Sequence, residues 1–180
     1  MIIKLESKWP AFFTQKRVGQ NWGLFTFIKF RSMYAHLSTW WKYWWKKAEE
    51  LYKKLINSDN NTRKWVLAKI KNDPRTTRFG RFMRKTSIDE LPQLFCVIVG
   101  TMSIIWPRPH LPNEVAKYKS RQKRLLSVKP GISGYAQVFG RDSLSFENEA
   151  KLDLYYIHNR SIFMDLYVIF WTFKVVFKGR

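Results

Sequence analysis

Cysteine, glycine, acidic side chains and long apolar runs are all scarce in this sequence, and each shortage excludes something. The single thiol, Cys96, cannot form an internal disulfide and sits in an apolar stretch, where an inert buried thiol is expected. The histidines, His36, His110 and His158, are scattered without metal-ligand spacing, so no zinc site is expected. No segment reaches the roughly 18 uninterrupted apolar residues of a spanning helix. The opening residues, Met1 to Lys8, do not read as a signal peptide. There is no Gly-rich nucleotide loop, no Ser-His-Asp arrangement that spacing supports, no internal repeat and no low-complexity tract. Glycine is outnumbered by tryptophan, 8 to 9 in 180 residues, although glycine usage averages about 7%.

The shortage of acid leaves a large basic excess. Lys and Arg number 33 against 13 Asp and Glu, a formal net charge of +20. Such a surface implies an anionic partner: nucleic acid, an anionic bilayer or a phosphorylated substrate. A hydrophobic content of 46% supplies a core, and the length suits one domain spanning residues 1–180.

The few acids that are present include an adjacent pair in Thr86-Ser87-Ile88-Asp89-Glu90-Leu91-Pro92-Gln93. Before it runs Arg78 to Lys85, with four cations in eight residues, and behind it runs the apolar segment Leu94 to Val99, long enough to bury. Ser87 and Glu90 have capping-box spacing, and Asp89 would then complement the helix dipole. Pro92, lacking an amide, instead favours a helix starting near Leu91, with both carboxylates at or before its first turn. Neighbouring residues do not share a helix face, so the two acids should meet different partners. One would be free to attack while the other holds a metal, and both readings stay open on these residues alone.

Elsewhere the pattern gives elements. Phe25 to Phe30 reads as a half-buried strand after a turn at Asn21-Trp22-Gly23. Alternation would put Lys29 and Arg31 on one face, where two cations suit a diphosphate or a solvated edge. Leu37 to Ile56 has the spacing of a long amphipathic helix, with Trp40, Trp41, Trp44 and Trp45 on or beside its apolar stripe. Such a helix either packs or lies at a membrane interface. Asp73, in an Asn-Asp-Pro turn, is structural. Pro107 and Pro109 fix two φ angles around Arg108, which suits a guanidinium with a fixed target or simply a rigid loop. Lys117 to Lys129 reads as a basic surface helix, Asn148 to Tyr156 as a helix, and Ile162 to Phe177 as a helix apolar nearly all round, either buried or in a bilayer interface. The fold class is α/β of the α+β type, helices around a small sheet.

Arg84-Lys85-Thr86-Ser87-Ile88-Asp89-Glu90-Leu91-Pro92-Gln93 resembles the signature of the bacterial sugar transferases, the monotopic polyprenyl-phosphate phosphoglycosyl transferases. The likeness continues in Gln15 to Gly19, Lys29 to Met33, Gly100 to Ser103, Pro107-Arg108-Pro109, Lys129 to Gln137, Gly140-Arg141 and Leu152 to Tyr156. It covers nearly the whole chain in the family's order. It implies transfer of a sugar-1-phosphate from a UDP-sugar to polyprenyl phosphate (undecaprenyl phosphate), with release of UMP. Asp89 would be the nucleophile and Glu90 the ligand of Mg²⁺. Lys29, Arg31, Arg84, Pro107, Arg108, Pro109, Gln137 and Arg141 would form the phosphate and nucleotide site. The resemblance further implies work at an anionic membrane surface, on the cytoplasmic face of the bacterial inner membrane, in the first membrane step of glycan assembly.

Several features depart from the family pattern. The family's N-terminal re-entrant helix would end just before this sequence begins, so either the start site is misplaced, the chain is trimmed, or attachment is by the surface alone. Trp9, Trp22, Trp65 and Trp106 stand where the family has glycine, as translation of UGA glycine codons as tryptophan would leave them. Trp106 would crowd the pocket beside Arg108. Thr101 replaces an expected Asp and weakens any metal role for its loop. These departures leave open a catalytically inactive membrane-bound relative, and the charge with the aromatic residues leaves open a second alternative, a basic nucleic-acid-binding protein. Against the second, the basic residues are spread through every element and no recognition motif is present, so no nucleic acid is expected as partner.

Overall fold

A computed structural model describes residues 2–38, 45–58, 61, 70, 72–140 and 144–178. Arg141, Trp65 and the tryptophans Trp40, Trp41 and Trp44 lie outside the described residues. The expected mixture of helices and small sheets is what is found. No helix among the described residues is long and apolar enough to cross a membrane.

After a short helix α1 (Ile2–Glu6), strands β1 (Phe12–Val18) and β2 (Leu24–Phe30) pair antiparallel, with Arg17 opposite Phe25 and Phe13 opposite Lys29. Directly opposed residues share a face, so Phe13, Gln15 and Arg17 lie on the side that carries Phe25, Phe27 and Lys29. This face packs inward: Phe25 and Phe27 are buried against Cys96 and Met102. The turn between the strands contains Asn21 and Trp22, both at positive φ.

Helix α2 (Trp45–Ile56) covers the later part of the expected helix, and residues 39–44 of that expectation lie outside the described residues. Leu37 ends a 3-10 turn over Ala35–Leu37, and Ser38 is extended, so the helix does not begin at Leu37. Asp73 is structural, as expected, forming a buried ion pair with Arg75 at 2.6 Å. Helix α3 (Arg78–Thr86) is capped by Thr77, whose Oγ1 accepts from Gly80 N, and by Glu6, which accepts from Phe79 N. Gly80 is required here, because a Cβ would meet the Ser32 carbonyl oxygen at 2.1 Å. That close approach seats α3 on the segment leaving β2.

Ser87, in the left-handed region at φ 58, reverses the chain after α3. Ile88–Glu90 then forms its own 3-10 turn, and α4 (Gln93–Ile98) starts after Pro92. The capping box is not made, since Ser87 caps nothing through its side chain. The expected burial of Leu94 to Val99 also fails. Cys96 is buried, but Phe95, Ile98 and Val99 are 65%, 80% and 75% exposed. Only one stripe of a single helix faces the core, and among the described residues no second layer covers the others.

Strand β3 (Ser103–Ile105) pairs parallel with β4 (Gly131–Ser133). Between them lie α5 (Pro112–Val115) and a 3-10 segment, Gln122–Ser127. The expected helix over Lys117 to Lys129 is therefore corrected to a tighter, irregular path. Tyr118, Gln122, Leu125 and Leu126 are buried, which the regular 3.6-residue period does not arrange. The cations Lys117, Lys119, Arg121, Lys123, Arg124 and Lys129 all remain exposed. Helix α6 (Tyr135–Phe139) leads towards α7 (Phe146–Asn159), and α8 (Ile162–Lys178) follows, both helices near their expected spans. On α8, Val168 is fully buried against Ile105 and Tyr156, whereas Ile162, Phe163, Leu166, Phe170 and Phe173 are exposed.

Candidate active site

The acidic turn at Ile88–Glu90 packs between β2 and α3. Adjacent residues on a 3-10 turn point in different directions, and the two acids separate accordingly. Asp89 is 3% exposed. Glu90 reaches the Pro107-to-Pro109 loop, where its Oε1 accepts from Arg108 Nη1 at 3.2 Å. Glu90 raises the Arg108 pKa further, chiefly through its charge, against the opposing effect of burial. Both Asp89 and Glu149 of α7 add to the negative field at Arg108.

Lys29 supplies a cation from β2. Burial first, and then the charge of Arg84, push its pKa down to about 8, while Asp89 pulls the other way. Its Nζ also stands over the Phe13 ring at 5.1 Å. Arg84 comes from the last turn of α3 and is tied to Ser32 Oγ and Thr76 Oγ1, at 2.8 and 3.2 Å. Lys29, Arg84 and Arg108 thus arrive from three different elements. A carboxylate turn with cations near it has the chemistry to bind an anion beside an oxygen nucleophile.

The Pro107-Arg108-Pro109 loop is rigid for a local reason and placed for a distant one. Pro107 and Pro109 are buried and have no amide to satisfy. The Pro107 carbonyl accepts from Gly131 N at 2.8 Å. A Cβ on Gly131 would meet Trp106 N at 2.2 Å, so glycine permits this approach. Trp106 packs edge-on against Tyr156, with the Arg160 guanidinium 4.8 Å from its ring centroid. Its expected crowding of the Arg108 pocket is not seen in these contacts. The ring is engaged with α7 and the residue that follows it.

The structure does not bring every expected site residue here. Arg31 lies beyond the end of β2 and is buried, donating to Ser7 Oγ and to the carbonyls of Ser7, Trp9 and Pro10. It ties down the N-terminal segment and does not share the Lys29 face, because the strand's alternation stops at Phe30. Gln137 lies on α6, its Oε1 buried without a hydrogen-bond partner among the described residues. Arg141 lies outside the described residues. Thr101 Oγ1 bonds to the Cys96 carbonyl at 3.1 Å, closing the end of α4.

Sequence reading assigned no individual role to Arg17, Glu149 or Asp153. Arg17 donates to the Pro109 carbonyl and lies over the Phe27 ring. Its opposition to Phe25, two register steps from Phe27, was the available signal, and only a known strand pairing makes it readable. Glu149 and Asp153 are buried one turn apart on α7. Burial pushes Asp153 up to about 7, while its acceptance from Ala136 N opposes the rise.

Among the described residues there is no group of three or more His, Cys, Asp or Glu able to cage a metal. Magnesium does not require one: it is commonly held by one or two carboxylates, with waters and substrate phosphates completing its shell. The Asp89 and Glu90 carboxylates fit that hard-donor chemistry.

Comparison with known proteins agrees over the full chain. Residues 1–179 match the family model described as bacterial sugar transferase. The chain is 44% identical, over 171 residues, to galactosyl transferase CpsE of Streptococcus agalactiae, covering 94% of this chain and 35% of that one. It is 39% identical over 171 residues to an undecaprenyl-phosphate galactose phosphotransferase of Salmonella typhimurium, covering 94% of this chain and 34% of that one. Against exopolysaccharide production protein ExoY of Rhizobium meliloti it is 33% identical over 181 residues, covering 99% of this chain and 75% of that one. The chain thus spans about a third of the length of the first two relatives. A family match along the whole sequence and an acidic turn with cations near it lead to one conclusion: the chain belongs to the bacterial sugar transferase family.

Proposed function

We propose that this chain transfers a sugar-1-phosphate from a UDP-sugar to a polyprenyl phosphate, with release of UMP. The observation that carries the reading is the Ile88–Glu90 turn, which holds a buried Asp89 beside an Arg108-bound Glu90 and within the field of Lys29. In the first step an Asp89 carboxylate oxygen attacks the β-phosphorus. The bond from that phosphorus to the bridging oxygen breaks, and UMP leaves with the electron pair. In the second step a polyprenyl phosphate oxygen attacks the same phosphorus and displaces Asp89, leaving a polyprenyl diphosphosugar. Splitting the displacement in two needs only one nucleophile placed at one phosphorus.

Lys29, Arg84 and Arg108 neutralise the diphosphate as charge-assisted donors. Glu90 has two tasks, orienting Arg108 and offering a carboxylate to Mg²⁺. Asp89 and Glu90 would hold the ion, which would supply charge stabilisation to the diphosphate. The names of the relatives, an undecaprenyl-phosphate galactose phosphotransferase and an exopolysaccharide production protein among them, support the polyprenyl acceptor and a place in surface glycan synthesis. The acceptor is a lipid, and the exposed apolar side chains of α4 and α8, with the cations of the Lys117-to-Lys129 segment, suit an anionic bilayer surface.

The test is product identity. Purified protein given a panel of UDP-sugars without lipid should release one UMP per active site, and polyprenyl phosphate should convert that burst into turnover. Release of UDP in place of UMP, or no dependence on the lipid acceptor, would sink the reading.

A further inference from the structure

Neither proline flanking Arg108 has an amide with which to tie the loop down. The loop's carbonyls do that work. Pro107 O accepts from Gly131 N at 2.8 Å, and His110 O accepts from Val18 N at 3.0 Å. Both donors are backbone amides, available whatever side chains stand there. The third tie is different: Pro109 O accepts from Nη1 of Arg17 on β1.

Arg17 is itself held from two more directions. Its Nη2 donates to Gln15 Oε1 at 3.2 Å, and its guanidinium lies 4.6 Å from the Phe27 ring centroid. Burial first, and then the charge of Arg108, lower its pKa to about 10, against the opposing charges of Glu114 and Glu90. A second, half-buried guanidinium beside Arg108 costs Coulombic and desolvation energy that a neutral donor to Pro109 O would not. A purely structural tie has no need of that cost. An anion-binding loop does, because the same charge reinforces the field at its target.

We propose that Arg17 is a positioning residue for Arg108: by holding the Pro109 carbonyl from β1, it sets where the Arg108 guanidinium meets Glu90 and the incoming diphosphate. The identity of that anion rests on the function proposed above, but the positioning does not. Arg17 acts through the loop, and its removal should therefore be felt only while Arg108 is present.

Two measurements test this on the full chain with Arg17→Gln, Arg17→Lys, Arg108→Gln and the Arg17→Gln/Arg108→Gln double variant. Amide exchange of the protein alone reads the loop directly. Arg17→Gln should speed exchange at Gly131 N by about tenfold through local opening. Gly100 N, bonded to Val97 O at the far end of α4, should be unchanged. Arg17→Lys, which keeps a charged donor, should restore part of the protection. Unchanged exchange at Gly131 in Arg17→Gln would overturn the positioning role. Kinetics then read the coupling. Arg17→Gln should raise KM for the UDP-sugar about tenfold with a smaller effect on kcat, and should add less than about twofold in the Arg108→Gln background. Multiplying effects would show that Arg17 acts independently of Arg108 and sink the proposal. A wild-type protein that releases no UMP would remove the phosphoglycosyl reading, while the exchange measurement still decides the role of Arg17.

Discussion

Arg108 and Glu90 meet as an ion pair at 3.2 Å, with side chains 30% and 13% exposed. The pair joins the loop after β3 to the 3-10 turn before α4, so one contact fixes both the main guanidinium of the site and one of its two carboxylates. Asp89 is left on the other side of the turn, buried and close enough to influence both Lys29 and Arg108.

That division of labour predicts unequal effects of two isosteric changes. If Asp89 is the nucleophile of the proposed reaction, Asp89→Asn should abolish both the UMP burst and turnover, with the thermal midpoint nearly unchanged. Mass spectrometry of wild type given UDP-sugar alone should find phosphosugar on Asp89. An Asp89→Asn variant that turns over at the wild-type rate would leave Asp89 a structural residue.

On the proposed metal role, Glu90→Gln should lower activity by about 10- to 100-fold and raise the Mg²⁺ concentration needed for half-maximal rate, since the carboxylate and its charge would be lost together. It also leaves Arg108 without its charged partner, a loss of about 1–3 kcal/mol in unfolding free energy. A wild-type rate that survives complete chelation would take the metal out of the reaction.

Lys29 gives activity and stability opposite pH trends. Its folded pKa is about 8, below the ordinary lysine value of 10.5, so between these values the unfolded chain binds the extra proton. The penalty for burying the charged amine is fully present below about 8 and is relieved as pH rises towards 10.5, so stability should increase across that window. Phosphate binding needs the charged form, so KM for the UDP-sugar should rise in the same window. Denaturant midpoints and KM measured from pH 7 to 10 check both trends, and Lys29→Met should flatten each.

Asp153 should show the mirror case. Its folded pKa, raised to about 7 from 3.8 by burial, makes its ionised form a cost above 7 that is relieved as pH falls through that value. Asp153→Asn keeps an acceptor for Ala136 N and should stabilise the protein at pH 8 while making little difference at pH 4. Equal gains at both pH values would count against a charged, buried Asp153.

Trp22 sits at φ 67 and is 53% exposed. A bulky side chain in the left-handed region costs about 1–2 kcal/mol, so Trp22→Gly should raise the unfolding free energy by about that amount, less its contact with Lys123. Trp106 is not at positive φ, and Trp106→Gly should instead destabilise by removing the contacts to Tyr156 and Arg160. The codons distinguish the origin of these residues: UGG at positions 9, 22, 65 and 106 would exclude misread glycine.

Adjacent carboxylates, the flanking prolines of Arg108, the aromatic strand at Leu24–Phe30 and the apolar helix at Ile162–Lys178 are local facts, and the sequence alone determined them. Propensity, alternation and proline chemistry act over a few residues, so they can be read without knowing what packs on what. The tertiary structure decided everything that depends on a partner far along the chain. It gave Glu90 to Arg108, gave Arg31 to Ser7 and the N-terminal carbonyls, and made Arg17 the side chain that holds Pro109. It also left Phe95 and Ile98 exposed, because an apolar run is buried only where another layer covers it, and nothing local to α4 specifies that layer.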